Sequence, residues 1–170
     1  GTGGTVSGVG RVLREKSPGT KIILTEPENA ALIGSELKQD RHSDNTPATS
    51  HSSWNPHLIQ GWTPDFIPFV LQEAIDNNYF DKLLPVSGEQ GITWAKRLAR
   101  AEGIITGISG GSTFAIAMEV AKDAPPDSNI LCMLPDTGER YLSSPLFEEI
   151  PEEMTDDEKK ISLSTPNYQL

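Results

Sequence analysis

The sequence predicts an α/β fold with a largely parallel sheet, because short apolar runs alternate with helical patterns along its 170 residues. The predicted strands, which are apolar and bounded by turn residues, cover residues 21–27, 57–61, 82–86, 104–108 and 129–134. The predicted helices cover residues 6–16, 30–37, 89–101 and 113–122, with a further helix that residues 64–71 lead into and that ends near Asn77. Residues 38–56 show no period and are expected to form a long surface loop.

Local signals mark where helices begin and where a ligand is expected. Ser87 is followed three residues later by Gln90, which is a capping-box pattern at the start of the helix at 89–101. Parallel sheets bind ligands at the carboxyl ends of their strands, where loops enter helices. Two glycine-rich loops, at 1–5 and 107–112, are predicted to lie at such positions.

Composition excludes some classes of partner. The net charge of −10 argues against a nucleic-acid partner and against an anionic membrane surface. No apolar run approaches the roughly 20 residues that a membrane-spanning helix needs. The single cysteine, Cys132, lies in an apolar run and is interpreted as a small buried hydrophobe. It excludes an intrachain disulfide and favours a reducing compartment, so a cytoplasmic location is expected.

A phosphate-binding pattern stands at the start of the sequence. Gly1, Thr2, Gly3, Gly4 and Thr5 run directly into a helical pattern. Without Cβ atoms, glycine backbone approaches an anion closely and turns its N–H groups toward it. The helix that follows adds a positive dipole end of about half a charge. Because a strand normally leads into such a loop, we expect the chain to be the later part of a longer protein.

Four strings carry a family resemblance, and they occur in the family's order. They are Gly-Thr-Gly-Gly-Thr at 1–5, His-Leu-Ile-Gln-Gly at 57–61 with Phe-Ile-Pro at 66–68, Gly-Ile-Ser-Gly-Gly-Ser at 107–112, and Leu-Pro-Asp-Thr-Gly-Glu-Arg-Tyr-Leu-Ser-Ser-Pro-Leu-Phe at 134–147. Together they resemble the cysteine synthase (O-acetylserine sulfhydrylase) family of fold-type-II pyridoxal-phosphate enzymes. The resemblance implies an α/β, parallel-sheet cofactor-binding domain of the tryptophan-synthase-β-like fold, incomplete in this chain.

The resemblance implies a role for the opening loop and for the loop at 107–112. Gly1, Thr2, Gly3 and Thr5 match the residues that wrap the 5′-phosphate of pyridoxal 5′-phosphate, and Gly4 belongs to the same turn. Ser109 matches the residue that hydrogen-bonds the pyridine nitrogen. A neutral hydroxyl does not hold that nitrogen protonated as a carboxylate would, so the ring is a modest electron sink suited to β-elimination.

Other site residues are also implied by the resemblance. Gly61 matches the position beside the substrate amino group, where a side chain would crowd the substrate. Pro135 and Asp136, together with Thr137, match residues that line the ring side of the site. Ser112 is predicted to cap the helix that follows it.

The sequence departs from the family in what it lacks. The family holds its cofactor on a lysine in a Ser-Val-Lys-Asp-Arg-like string and binds the substrate carboxylate with a Ser-Gly-Asn-Thr-Gly-like loop. Neither string occurs in the sequence, and none of its lysines has that context. No catalytic residue is therefore assigned here. We expect the missing N-terminal half, in the same or a separate chain, to supply the lysine.

Two further departures from the family are the long loop at 38–56, which looks longer than the family needs, and the residues that follow Gly61. Trp62-Thr63-Pro64-Asp65 stands where family members often carry a short glycine-rich run. Trp62 either narrows the entrance or is an ordinary half-buried aromatic. The three histidines, His42, His51 and His57, are irregularly spaced, so no metal site is predicted.

The activity implied by the resemblance is β-replacement on O-acetylserine, in which sulfide replaces acetate to give cysteine, by an enzyme that is a homodimer. Cystathionine β-synthase, with homocysteine as the nucleophile, is an alternative, although the Asp-Thr-Gly-Glu-Arg-Tyr string favours cysteine synthase. A second alternative is a structural or regulatory subunit that keeps the fold without the reaction.

The last part of the sequence changes character. Acidic residues crowd positions 148–158, and Thr155 is placed to cap a short helix whose first turn is acidic. We therefore predict a cofactor-binding domain at 1–147 and an acidic C-terminal tail at 148–170.

Overall fold

The computed structural model describes residues 1–164. Its helices and strands are α1 (Gly4–Lys16), β1 (Ile23–Pro27), α2 (Phe69–Asp76), β2 (Lys82–Val86), α3 (Gly88–Glu102), α4 (Ile108–Asp123) and α5 (Asp156–Ser164), with short 3-10 helices at Glu28–Ala30 and Gly138–Tyr141. Within residues 1–164, no helix has the length and apolar content to cross a membrane.

The sheet is parallel, as predicted. β1 pairs with β2 over five residues, with Ile23 opposite Lys82 and Pro27 opposite Val86. Parallel strands need a long crossover connection, and here the crossover includes α2. The sequence therefore placed these two strands correctly, although β1 begins two residues later than predicted.

Helices α3 and α4 pack against each other at very short range, because glycine lies at their contact. A Cβ atom at Gly111 would lie 2.0 Å from the carbonyl oxygen of Gly91 and 2.7 Å from the amide nitrogen of Ala95. A Cβ atom at Gly91 would lie 2.2 Å from Ser112 Oγ. The predicted capping box at the start of α3 is confirmed, with Ser87 Oγ accepting the N–H of Gln90.

The main hydrophobic core lies between this helix pair, β2 and two loops. Its buried members are Ile59, Val86, Ala95, Ile108, Ala115, Ile116, Tyr141 and Leu146. A smaller cluster of Ala30, Leu32 and Ile67 lies beneath the long loop, with Leu71 and Ile75 of α2 packed against it. The first residues of α4 therefore start inside the main core.

Helix α1 packs on α2. The hydroxyl of Ser7 donates to the carbonyl oxygen of Val70 at 2.7 Å, which joins the two helices. Gly10 faces Tyr79 closely, because a Cβ atom there would lie 2.5 Å from Tyr79 Cβ. These contacts fix the orientation of the N-terminus of α1.

Three predicted strands are wrong. Residues 57–61 turn at Gly61, where φ is 81°, and bury Ile59 completely without joining a sheet. In 104–108 only Thr106 pairs, in an isolated antiparallel bridge with Thr137. Residues 129–134 have no regular structure, and Leu131 is 95% exposed. An apolar run becomes a strand only where a neighbouring strand offers a ladder, which the sequence pattern does not reveal.

The predicted helix at 30–37 is also wrong, because a buried carboxylate organises turns there. Glu26, at the end of β1, accepts the N–H groups of Ile33 at 3.0 Å and Gly34 at 2.7 Å. Burial raises the pKa of Glu26, and these two backbone hydrogen bonds act in the opposite direction. The turns at 32–35 therefore form around this side chain instead of continuing as a helix.

Helix α4 begins five residues earlier than predicted. The predicted glycine loop at 107–112 is the first turn of the helix, with Gly107 as its N-cap. The predicted capping role of Ser112 is wrong, because its hydroxyl donates to the carbonyl oxygen of Ile108 at 2.8 Å inside the helix.

The structure tests the predictions for Cys132 and for the terminal helix. Cys132 is half-buried rather than buried, and burial raises the pKa of its thiol to about 11. The predicted terminal helix forms as α5, with Thr155 Oγ1 accepting the N–H of Glu158. The division into 1–147 and 148–170 stays a prediction, and residues 165–170 lie outside the described part.

The helix contact makes a testable prediction. Gly111→Ala is expected to lower the free energy of unfolding by about 3 kcal/mol, because the added methyl group overlaps the backbone of α3. Gly8→Ala is a matched control, since a Cβ atom there meets nothing within 4 Å. That change is expected to raise the stability of α1 by up to about 1 kcal/mol. Equal effects of the two changes in urea denaturation would contradict the proposed crossing.

Candidate functional site

The N-terminus of α1 has the local geometry of an anion-binding helix end. Gly3 is the N-cap, with φ 86° and ψ 3°, and it provides no side-chain cap. The first helical bond runs from the N–H of Ser7 to the carbonyl oxygen of Gly3 at 3.0 Å. The N–H groups of Gly4, Thr5 and Val6 precede that bond and have no partner within the helix. No acidic residue stands in the first turn to compete for them.

This end of α1 is accessible to a ligand. Thr2, Gly4 and Thr5 are exposed, and Gly3 is half-buried. A Cβ atom at Gly3 would lie 2.7 Å from Leu71 Cα, so glycine is needed there both for the left-handed backbone and for contact with α2. Free amides, a positive helix end and flanking hydroxyls fit a phosphate group.

Gly61 lies directly beside the opening loop. A Cβ atom at Gly1 would lie 2.9 Å from the carbonyl oxygen of Gly61. Gly61 has φ 81°, and a Cβ atom there would meet nothing within 4 Å, so one side of this turn faces open space. The adjacent Trp62 packs against the main core that contains Ile108. The opening loop therefore lies beside Gly61, and the next residue packs on the core in which α4 begins.

Ser109 is the second residue of α4 and is only 3% exposed. Two neighbouring hydroxyls are occupied, since Ser112 donates to Ile108 and Thr113 donates to the carbonyl oxygen of Ser109. Among the described residues, the hydroxyl of Ser109 makes no hydrogen bond of its own. It therefore remains available for a ligand, as the predicted contact with the pyridine nitrogen requires.

Asp136 ties down the backbone that enters α4. Its Oδ1 accepts the N–H of Gly107 at 3.2 Å, and its carbonyl oxygen accepts the hydroxyl of Thr106 at 3.2 Å. Its Oδ2 accepts the hydroxyl of Tyr141. Pro135, next to it, is exposed. The predicted position of Pro135 and Asp136 along the cofactor ring stays a prediction, while both carboxylate oxygens of Asp136 have protein partners.

Tyr141 is a site residue that the sequence did not single out. It is 9% exposed and belongs to the main core. The 3-10 helix at Gly138–Tyr141 returns its ring to Gly107, where a Cβ atom would lie 2.3 Å from Tyr141 Cε2. The sequence signal for Tyr141 was its place in the Asp-Thr-Gly-Glu-Arg-Tyr string. The spacing of five residues from Asp136 does not by itself predict a hydrogen bond between the two side chains.

Two cavities among residues 1–164 lie away from the predicted site residues. One, of about 310 Å³, is lined by Glu28, Asn29, Pro56, His57, Leu58, Gly88 and Glu89, and another, of about 340 Å³, is lined by Pro47, Ala48, Thr49, Ser50, Asp65 and Phe66. Neither of these two cavities is lined by a predicted site residue. In residues 1–164 no group of three or more His, Cys, Asp or Glu side chains is arranged to hold a metal ion.

A parallel α/β fold with an uncapped helix end beside a glycine turn is typical of proteins that bind a phosphate group. The family described as pyridoxal-phosphate dependent enzyme matches residues 1–136, so the chain belongs to that family, whose cofactor is pyridoxal 5′-phosphate. The predicted family and fold are thereby confirmed.

Two relatives and one crystal structure are similar to this chain over most of its length. O-ureido-L-serine synthase of Streptomyces lavendulae is 39% identical over 97% of this chain and 44% of its own length. A cysteine synthase of Staphylococcus aureus is 35% identical over 86% of this chain and 41% of its own length. The crystal structure of O-ureido-L-serine synthase superposes with a TM-score of 0.76 and 38% identity, covering 95% of this chain and 44% of that one. The chain thus spans less than half the length of these relatives.

The Asp136–Tyr141 pair predicts a pH dependence of stability. The hydrogen bond to Asp136, followed by burial, raises the pKa of Tyr141 to about 12, whereas an unfolded tyrosine titrates near 10. The folded state therefore holds this proton more tightly, and the resulting stabilisation is present below about pH 10 and lost as the pH rises toward 12.

The measurement compares wild type with Tyr141→Phe in urea denaturation from pH 7 to 11. The difference in unfolding free energy should be constant from about pH 7 to 9 and shrink above about pH 10. Tyr79→Phe is the control, because the hydroxyl of Tyr79 makes no hydrogen bond in the described residues. A difference that stays flat through pH 11 would show that the phenol is not held by Asp136.

Proposed function

We propose that this chain is part of a pyridoxal-phosphate dependent β-replacement enzyme that converts O-acetylserine and sulfide to cysteine and acetate. The observation that carries the proposal is that two groups of hydrogen-bond donors have no protein partner in the described part of the chain. These are the unpartnered amides at the start of α1 and the unpartnered hydroxyl of Ser109 at the start of α4. Phosphate and pyridine nitrogen are the two polar ends of the cofactor, and each finds a matching donor here.

Each site residue has a physical task in this proposal. When bound, pyridoxal 5′-phosphate withdraws electrons from the substrate Cα, so that the group on Cβ leaves and a nucleophile takes its place. The amides of Gly4 and Thr5 hold the phosphate dianion, with charge-assisted bonds of about 1.5–3 kcal/mol each. Ser109 donates a neutral hydrogen bond and adds no positive charge to the ring. Gly61 leaves the substrate amino group room to approach, because its Cβ side is open.

The proton-transfer residue belongs to the rest of the proposed enzyme. No lysine of this chain lies in the family's lysine string. The remaining half of the enzyme would supply that lysine and the loop for the substrate carboxylate. We also propose that the enzyme is a homodimer, as the family resemblance implies.

A second candidate function has a specific observation in its favour. The similarity to O-ureido-L-serine synthase covers 97% of this chain at 39% identity. Trp62, which stands where a glycine-rich run is common in cysteine synthases, is half-buried beside Gly61. This bulky side chain would give the nucleophile a pocket that differs from the pocket in cysteine synthases. The second candidate is therefore β-replacement that gives O-ureido-L-serine.

A product assay on the full-length enzyme separates these functions. O-acetylserine is supplied with sulfide, homocysteine or hydroxyurea in parallel, and the amino-acid products are identified by mass spectrometry. We expect cysteine to form with the highest kcat/KM. Preferential formation of O-ureido-L-serine or of cystathionine would show that hydroxyurea or homocysteine, and not sulfide, is the nucleophile. Cofactor binding without any product would instead support the non-catalytic subunit.

A further inference from the structure

The start of α4 lacks the usual support for a helix N-terminus. Its N-cap is Gly107, which has no side chain to bond the first amides. Ser109 stands only two residues further on, so any shift of this turn moves its hydroxyl. A hydrogen bond to a ring nitrogen tolerates little displacement, because its strength falls steeply with distance and angle.

The support comes from outside the helix. Asp136 accepts the N–H of Gly107 through Oδ1 and the hydroxyl of Thr106 through its carbonyl oxygen. Asp136 therefore accepts hydrogen bonds from both residues that precede α4. Thr106 is itself only 2% exposed, so this attachment point is fixed by packing.

Tyr141 in turn fixes Asp136. Its hydroxyl donates to Oδ2, which leaves Oδ1 directed at Gly107. The Tyr141 ring fills the space next to Gly107 and packs in the same core as Ile108, the first residue of α4. The raised pKa of Tyr141 keeps the phenol protonated, and hence a donor, at neutral and mildly alkaline pH.

We propose that Asp136 and Tyr141 are positioning residues that aim the hydroxyl of Ser109 by fixing the turn at the start of α4. This inference rests on the proposed function, in which Ser109 contacts the cofactor. Asp136 then acts through Gly107 rather than by contact with the cofactor ring, since both its carboxylate oxygens are already engaged.

The test is a double-mutant cycle in the full-length protein. Tyr141→Phe removes one hydroxyl and keeps the ring against Gly107. The dissociation constant of pyridoxal 5′-phosphate is measured by fluorescence titration of the cofactor-free protein. We expect Tyr141→Phe to raise it by about 3- to 10-fold, the size of one hydrogen bond. In a Ser109→Ala background the same change should have no further effect, because its target is gone.

The outcomes distinguish the two levels of the proposal. If Tyr141→Phe has the same effect with and without Ser109, its role is general stability and the positioning proposal is overturned. If Ser109→Ala weakens binding and Tyr141→Phe does not, only the positioning proposal fails. If Ser109→Ala leaves binding unchanged, the cofactor role of Ser109 fails and the positioning proposal fails with it.

Two further measurements guard against a folding artefact. Asp136→Asn keeps the side-chain size, and it should show the same dependence on Ser109 if Tyr141→Phe does not fold. Amide hydrogen exchange in the cofactor-free protein should be faster at Gly107–Ser109 in Tyr141→Phe and unchanged in Tyr79→Phe. Unchanged exchange at Gly107 in Tyr141→Phe would overturn the proposal without reference to activity.

Discussion

The close crossing of α3 and α4 is the constraint on which the site depends. Gly91 and Gly111 let the two backbones approach to distances that a Cβ atom would forbid. Since α4 also begins inside the main core, this crossing and the core together determine where Ser109 lies. Of the glycines in the Gly-Ile-Ser-Gly-Gly-Ser string, Gly111 therefore serves helix packing, whereas Gly107 and Gly110 lie against Tyr141 and Thr106. The first serine of the string, Ser109, keeps a hydroxyl that is free among the described residues, and the proposed function assigns this hydroxyl to the cofactor.

The proposed phosphate site lies on a chain of net charge −10, so its affinity for an anion has to come from local interactions. Exposed charges more than about 10 Å apart are largely screened at physiological salt, whereas amide groups act on an anion in direct contact. Acidic residues are concentrated in the tail at 148–158, away in sequence from α1, whose first turn has no acidic side chain. Under the proposed function, local geometry thus decides the affinity for phosphate, and the overall charge disfavours only large anionic partners such as nucleic acids.

The sequence predicted best those elements whose stability is local. The helix that begins at the capping box of Ser87 and Gln90 forms within one residue of its predicted bounds. The helix predicted at 6–16 also forms, as α1, although it begins two residues earlier, at Gly4. The apolar runs at 104–108 and 129–134 were predicted as strands, but a strand depends on a neighbour that its own residues do not specify. In the same way, the sequence did not predict the helical first turn of α4, because its glycines are explained by close contacts with Thr106 and with α3 that the sequence pattern does not show.

In the candidate site, too, local sequence strings identified some residues, whereas contacts that depend on the fold were not predicted. The opening glycines and Ser109 were identified from strings that resemble a family, and the structure leaves their donors free. The link between Asp136 and Tyr141 was not identified, because it depends on a 3-10 helix that returns the phenol to Gly107. The turns around Glu26 were missed for a similar reason, since a single buried carboxylate outweighs the helical pattern that follows it.

The central claim is that one cofactor spans the start of α1 and the start of α4. The most direct test is a crystal structure of the full-length protein with pyridoxal 5′-phosphate bound. The phosphate oxygens should lie about 2.7–3.2 Å from the amide nitrogens of Gly4 and Thr5, with Ser109 Oγ at hydrogen-bond distance from the pyridine nitrogen. A phosphate bound away from α1, or a pyridine nitrogen out of reach of Ser109, would contradict the account.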